Sequence, residues 1–140
     1  ALHRLLDMGI ESFLVASSIA AIIGQRLVRR ICTSCPAPYT PSDEELHFFA
    51  ESGGNPRRKF VQGTGCHLCS GTGFRDRIGV YELLVVTPEV KQLLVGWASQ
   101  EELRSMAQSQ GMRTLRHEAI ALVERDVTTI AEVFRTIYAL

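Results

Sequence analysis

All four cysteines of the chain fall into two pairs, Cys32-Thr-Ser-Cys35 and Cys66-His-Leu-Cys69, with residues 36–65 between them. In a C-x-x-C turn both sulfurs can face one ion. Two such turns supply the four thiolates of a closed tetrahedral zinc site, with no position left open for a substrate water. The chemistry expected of Cys32, Cys35, Cys66 and Cys69 is therefore structural, one Zn2+ per chain. Two disulfides of a secreted protein are the competing reading, disfavoured in a chain of this length whose opening residues carry no signal pattern. A thioredoxin-like redox pair is disfavoured because two pairs are present and no βαβ pattern surrounds either one. His67 lies inside the second pair and His47 in the intervening segment. Four sulfurs already saturate zinc, so neither imidazole is expected as a ligand.

The glycines behind the second pair, in Cys66–Phe74 "CHLCSGTGF", have a local reason. Gly71 and Gly73 allow positive φ where the chain turns away from the metal, and the N–H groups of residues 70–73 can point at the sulfurs. A phosphate cradle is not indicated: there is no G-x-x-x-x-G-K-[ST], and Lys59 and Lys91 follow Arg58 and Val90 rather than a glycine. The 140-residue chain is accordingly expected not to hydrolyse ATP by itself.

The elements that must position the cysteines follow from pattern. Ser42 to Glu45 reads as a capping box and Gly53-Gly54 as a stop, giving one short helix over 42–52 in a lobe otherwise built of loops. Such a lobe has little core, so metal rather than packing is expected to hold residues 32–70. Gln25–Cys32 and Arg77–Val86 read as strands flanking the lobe, which looks inserted between two strands of a larger sheet. The most apolar run, Phe13 to Ile23, reads as a buried core helix; it is well short of the ~18 residues a membrane span needs. Thr87-Pro88 caps a helix with Val90, Leu93, Leu94 and Trp97 on one face, and Ser99 to Glu102 is a capping box for the next. A helix over 113–125 follows, and Thr129 to Glu132 caps the last one. Residues 1–9 have helical spacing without a starting Met or an N-cap, so the chain reads as starting within a helix, as the C-terminal piece of something longer. With 46% hydrophobic residues, 15 Lys+Arg and 15 Asp+Glu, the composition suits one domain or two small subdomains and gives no global footprint for nucleic acid or anionic lipid.

Taken in order, "RLLDMGIESFLVASSIAAIIGQRLVRRIC", the paired C-x-x-C, "GFRDRIGVYELL" and "GMRTLRHEAIALVERDVTTIAEVFR" resemble the C-terminal part of the bacterial type II secretion and type IV pilus assembly ATPases. The resemblance implies an α/β fold: the tail of a RecA-like P-loop ATPase core over 1–31, a tetracysteine zinc lobe over 32–76, a returning core strand over 77–86 and a small C-terminal helical subdomain over 87–140. It implies a parent that is a cytoplasmic homo-hexamer, peripheral on the inner membrane, using ATP and Mg2+ and working on inner-membrane platform and cytoplasmic-anchor proteins. It implies no nucleic acid partner and no transmembrane segment. It also places Arg77 at nucleotide, with Arg75 the weaker candidate; the competing role for Arg77 is a surface ion pair with Asp76 or Glu82. Asp76 and Asp126 stand where that family usually has Gly, and Asp tolerates left-handed backbone better than most residues. Two readings come from other classes. A J-protein-like chaperone module shares the CxxCxGxG of Cys66–Gly73, but Cys32–Pro38 lacks the glycines. A zinc-ribbon binding module would use Arg57-Arg58-Lys59 as a phosphate-binding cluster.

Overall fold

The computed structural model describes residues 2–138; Ala1, the first residue of the opening helical pattern, lies outside them. The fold is mixed α/β. Its elements are α1 (Leu2–Asp7), α2 (Ser12–Ser18), β1 (Ala21–Ile31), β2 (Pro36–Tyr39), α3 (Asp43–Glu51), β3 (Phe60–Gly63), β4 (Phe74–Val85), α4 (Pro88–Val95), α5 (Gln100–Ser109), α6 (Leu115–Glu124) and α7 (Ile130–Val133). A single 3-10 turn covers His67–Cys69, and a π-helical segment, Phe134–Tyr138, continues α7. β1 pairs with β4 in one two-stranded sheet and β2 with β3 in another. The second is antiparallel, running from Pro36 opposite Gly63 to Tyr39 opposite Phe60.

The chain forms two compact units, residues 1–24 with 82–114 and residues 25–81 with 115–140. The segments expected from sequence are contiguous and the units are not, because β1 and β4 each run through both. Helices 87–140 are therefore divided: α4 and α5 belong to the first unit, α6 and α7 to the second. The first unit packs Leu2, Leu6, Val15 and Ala16 against Val86, Val90, Leu94 and Leu103. The helix starts follow their caps. Ser99 Oγ accepts from Glu102 N–H at 3.2 Å while the Glu102 carboxylate accepts from Ser99 N–H at 2.7 Å, and Ser42 and Glu45 do the same at 3.2 and 2.8 Å.

Two apolar assignments are corrected. Phe13–Ile23 is not one buried helix: α2 stops at Ser18, Ile19 is already extended, and Ala20 accepts a hydrogen bond from Val86 N–H at 2.9 Å. The β-branched Ile22 and Ile23 follow the strand partner, and Phe13 and Ile23 are 55% and 66% exposed. Trp97 does not face inward at the i+7 position of α4. That helix ends at Val95, and Trp97 takes φ 56° and stands exposed.

The lobe between the cysteine pairs is also better packed than its sequence suggests. Phe48 and Phe49 of α3 and Phe60 of β3 are buried in the second unit's core with Val28, Val80, Ile120, Val123, Ile130 and Val133. Phe49 meets Phe60 edge-on at 5.4 Å. The expectation of a lobe with little core fails because its apolar partners lie some seventy residues downstream, in α6 and α7, where local pattern does not reveal them.

Candidate metal centre

Cys32 directly follows β1, and Cys35 precedes β2; Cys66 stands just before the 3-10 turn and Cys69 is its last residue. The pairing of β2 with β3 draws the two pairs together, helped by Thr64 N–H donating to the Cys35 carbonyl at 2.9 Å. All four Sγ atoms lie within 4.8 Å of one another, and no histidine or carboxylate among the described residues joins the group. Cys32 and Cys66 are 3.9 Å apart at sulfur, Cys35 and Cys69 3.9 Å, and Cys66 and Cys69 3.7 Å. A tetrahedron of thiolates around zinc at ~2.3 Å has edges of about 3.8 Å, so these three edges between free thiols match the spacing one thiophilic ion requires and the whole set lies close enough to converge on it. His47 instead faces Glu51 at 3.3 Å.

The surroundings favour thiolate at one corner. Cys69 Sγ accepts from Cys66 N–H at 3.1 Å and from Gly73 N–H at 3.3 Å, and the first of these bonds pulls the Cys69 thiol down to about 6. Burial pushes the Cys35 thiol up to about 11. A cation at the centre would displace the protons that the four sulfurs otherwise share.

Gly71 and Gly73 take φ 76° and 74° as the turn away from the metal demands. Sequence reasoning missed their partners. A Cβ on Gly63 would sit 1.9 Å from the Gly73 carbonyl oxygen, and one on Gly73 would sit 2.3 Å from that of Gly63. Backbone lies on backbone here, so the end of β3 is stacked on the second cysteine turn with no room for side chains. The repeated glycines of "QGTGCHLCSGTGF" were the available signal.

Arg75, Asp76 and Arg77 are exposed at the start of β4. Asp76 has φ 67°, and Asp126 φ 57°, so both adopt the left-handed backbone expected of them. Cys32 N–H donates to the Gly73 carbonyl at one end of the β1–β4 pair and Val86 N–H to that of Ala20 at the other. The strands therefore run antiparallel. The two bonds are one residue out of step, as a single extra residue in β4 makes them, and Asp76 has the backbone a bulge uses. No side-chain hydrogen bond or ion pair of Arg77 is seen among the described residues. Of Arg57-Arg58-Lys59, Arg58 is turned inward: it holds Asp126 at 2.7 Å, donates to the Val123 carbonyl and stacks over Phe60.

A second cluster was not foreseen. Glu132, buried and 2% exposed, accepts from Arg29 Nε and Nη2 at 3.0 and 2.7 Å, from Arg29 N–H at 3.0 Å and from Arg135 Nη2 at 2.8 Å. The Arg29 guanidinium lies 4.2 Å over the Phe74 ring. Burial alone would raise the Glu132 pKa, but the arginine hydrogen bonds outweigh it and the carboxyl lies below its ordinary value. The cap expected at Thr129 forms, with Thr129 Oγ1 accepting from Glu132 N–H at 3.2 Å, while the Glu132 carboxylate goes to the arginines.

No helix among the described residues is long and apolar enough to cross a membrane. Comparison with known proteins matches residues 1–135 to the family model of the type II/IV secretion system protein. The chain is 35% identical over 139 residues to the type IV pilus assembly ATPase PilB of Thermus thermophilus, covering 98% of this chain and 16% of that one. It is 35% identical to the type II secretion system protein HxcR of Pseudomonas aeruginosa and 33% to the type II secretion system ATPase E of Vibrio cholerae, covering 96% of this chain in each case and 25% and 26% of theirs. It thus spans about a quarter of their length or less. With a match over nearly all of its residues, this chain belongs to the type II/IV secretion system protein family.

Proposed function

We propose that the chain is the C-terminal part of a hexameric ATPase that powers type II secretion or type IV pilus assembly, and that Cys32, Cys35, Cys66 and Cys69 hold one structural Zn2+. The observation that carries the reading is the family match over residues 1–135, inside which the four sulfurs converge. In this reading residues 1–31 and 77–86 belong to a RecA-like core whose P-loop, with ATP and Mg2+, lies elsewhere in the parent. Residues 32–76 are the zinc lobe, and residues 87–140 are the C-terminal helical segment. Zinc would be held by thiolates alone, and its role is to fix the two cysteine turns, since four sulfurs leave no position for a reacting water. The parent is cytoplasmic, peripheral on the inner membrane through platform and anchor proteins.

Arg77 is the residue of this chain assigned to nucleotide. Its fork of donors is charged at any working pH and is not engaged within the described residues, and a guanidinium suits phosphate oxygens. The test is ATP turnover. The 140-residue chain releases no phosphate by itself, whereas the full-length parent does, and Arg77→Ala in the parent lowers nucleotide affinity or turnover severalfold with metal content intact. Turnover by the isolated chain, or a parent indifferent to Arg77→Ala, contradicts the assignment.

A further inference from the structure

We propose that Gly73 is a positioning residue, the joint through which the metal centre sets the place of Arg77; this rests on the nucleotide reading of Arg77 and on occupancy of the four-sulfur site. Gly73 is buried and carries no side chain, yet it is restrained from three directions. Its N–H donates to Cys69 Sγ at 3.3 Å, and its carbonyl accepts from Cys32 N–H at 2.9 Å, so it touches a residue from each cysteine pair. Its backbone packs on Gly63 so closely that neither position has space for a Cβ. β4 begins at the next residue. Phe74 is held under the Arg29 guanidinium, and Arg29 is held by buried Glu132. Arg77 follows within four residues of the joint, at most about 13 Å along the chain and less where Asp76 takes φ 67°.

The Arg77 side chain has no protein partner of its own among the described residues, so its location is set by the backbone that carries it. That backbone is anchored by Gly73 at the metal and by Phe74 under the clamp. A thiolate held by metal is a fixed acceptor for the Gly73 N–H. When the ion leaves, the Cys69 sulfur is free to move with its turn, and the start of β4 loses an anchor while the aromatic core of the unit, which contains no cysteine, stays packed. The metal site thus acts at a distance on a residue that touches neither the ion nor its ligands.

Amide hydrogen exchange on the 140-residue chain, zinc-loaded and after chelation, reads this directly. Exchange in residues 74–78 should rise at least tenfold on chelation while α6 keeps its protection. Unchanged exchange in 74–78 overturns the proposal, and so does simultaneous loss of protection in α6, which would make the metal a general support and not a joint. In the full-length parent, Gly73→Ala should lower nucleotide affinity at least fivefold, and less than twofold when Arg77→Ala is already present, since both act through one contact. If Arg77→Ala alone changes nothing, the nucleotide reading has failed. If Arg77→Ala weakens binding and Gly73→Ala does not, or the two effects simply add, the joint has failed.

Discussion

Glu132→Gln isolates the buried carboxylate without changing its volume. The native carboxylate receives Arg29 through Nε, Nη2 and the backbone N–H, and Arg135 through Nη2 at 2.8 Å and Nε at 3.2 Å. Glutamine keeps one acceptor oxygen and turns an NH2 toward guanidinium donors, so at least one charge-assisted pair becomes a donor facing a donor. Hydrogen bonds to charged groups contribute about 1.5–3 kcal/mol each, and Glu132→Gln should cost an amount in that range. Glu132→Ala should cost about 2–3 kcal/mol, because it removes every acceptor and leaves the buried space empty, while the Arg29 side chain, 41% exposed, is rehydrated in part. Arg135→Ala should cost ~1 kcal/mol or less, since that side chain is 63% exposed. The pH dependence has a defined sign. The folded carboxyl lies below its ordinary value, so its contribution is complete above the unfolded carboxylate range, near pH 4.3, and is lost as pH falls through the folded value. The gap between wild type and Glu132→Gln, followed by denaturant titration at matched pH and metal, should be full at pH 7 and shrink below about pH 4. A glutamine variant within ~0.5 kcal/mol of wild type at pH 7, or a gap that widens on acidification, refutes the argument.

Two further outcomes follow from the arginine turn. In the full-length parent, Arg75→Ala should reduce nucleotide affinity less than Arg77→Ala, and Arg77→Lys should restore little, because a point charge does not reproduce a two-pronged phosphate contact; affinity titrations of the three variants decide it. Asp76 sits at φ 67°, so Asp76→Gly should be neutral or stabilising by up to ~1 kcal/mol, whereas Asp76→Val should cost about 1–2 kcal/mol; equal stability of the glycine and valine variants in denaturant would remove the left-handed constraint.

The metal centre was legible because its signal is local. Spacing alone groups Cys32, Cys35, Cys66 and Cys69, and side-chain chemistry alone places the caps at Ser42, Thr87 and Ser99 and the left-handed turns at Gly71 and Gly73; those at Asp76 and Asp126 were legible only through the family resemblance. What escaped depends on residues far apart in the chain. Nothing near Phe48 and Phe49 announces that α6 and α7 will cover them. Glu132 three residues after Thr129 fits a capping pattern, and its true partner is 103 residues away at Arg29. Phe13–Ile23 is apolar throughout, so its periodicity does not distinguish helix from strand, and pairing with β4 decides at Ala20. The close approach of Gly63 to Gly73 likewise needs the fold, although glycine at both positions is what permits it.

Metal binding tests the four-sulfur centre most directly. Freshly reduced 140-residue chain should bind one equivalent of zinc, and cobalt in its place should show the intense visible bands of a tetrahedral four-thiolate site. Replacing any one of Cys32, Cys35, Cys66 or Cys69 by serine should weaken binding and alter that spectrum, while His67→Ala should change neither. Zinc clearly below one equivalent, or a cobalt spectrum that depends on His67 and survives loss of a cysteine, would contradict the four-sulfur centre.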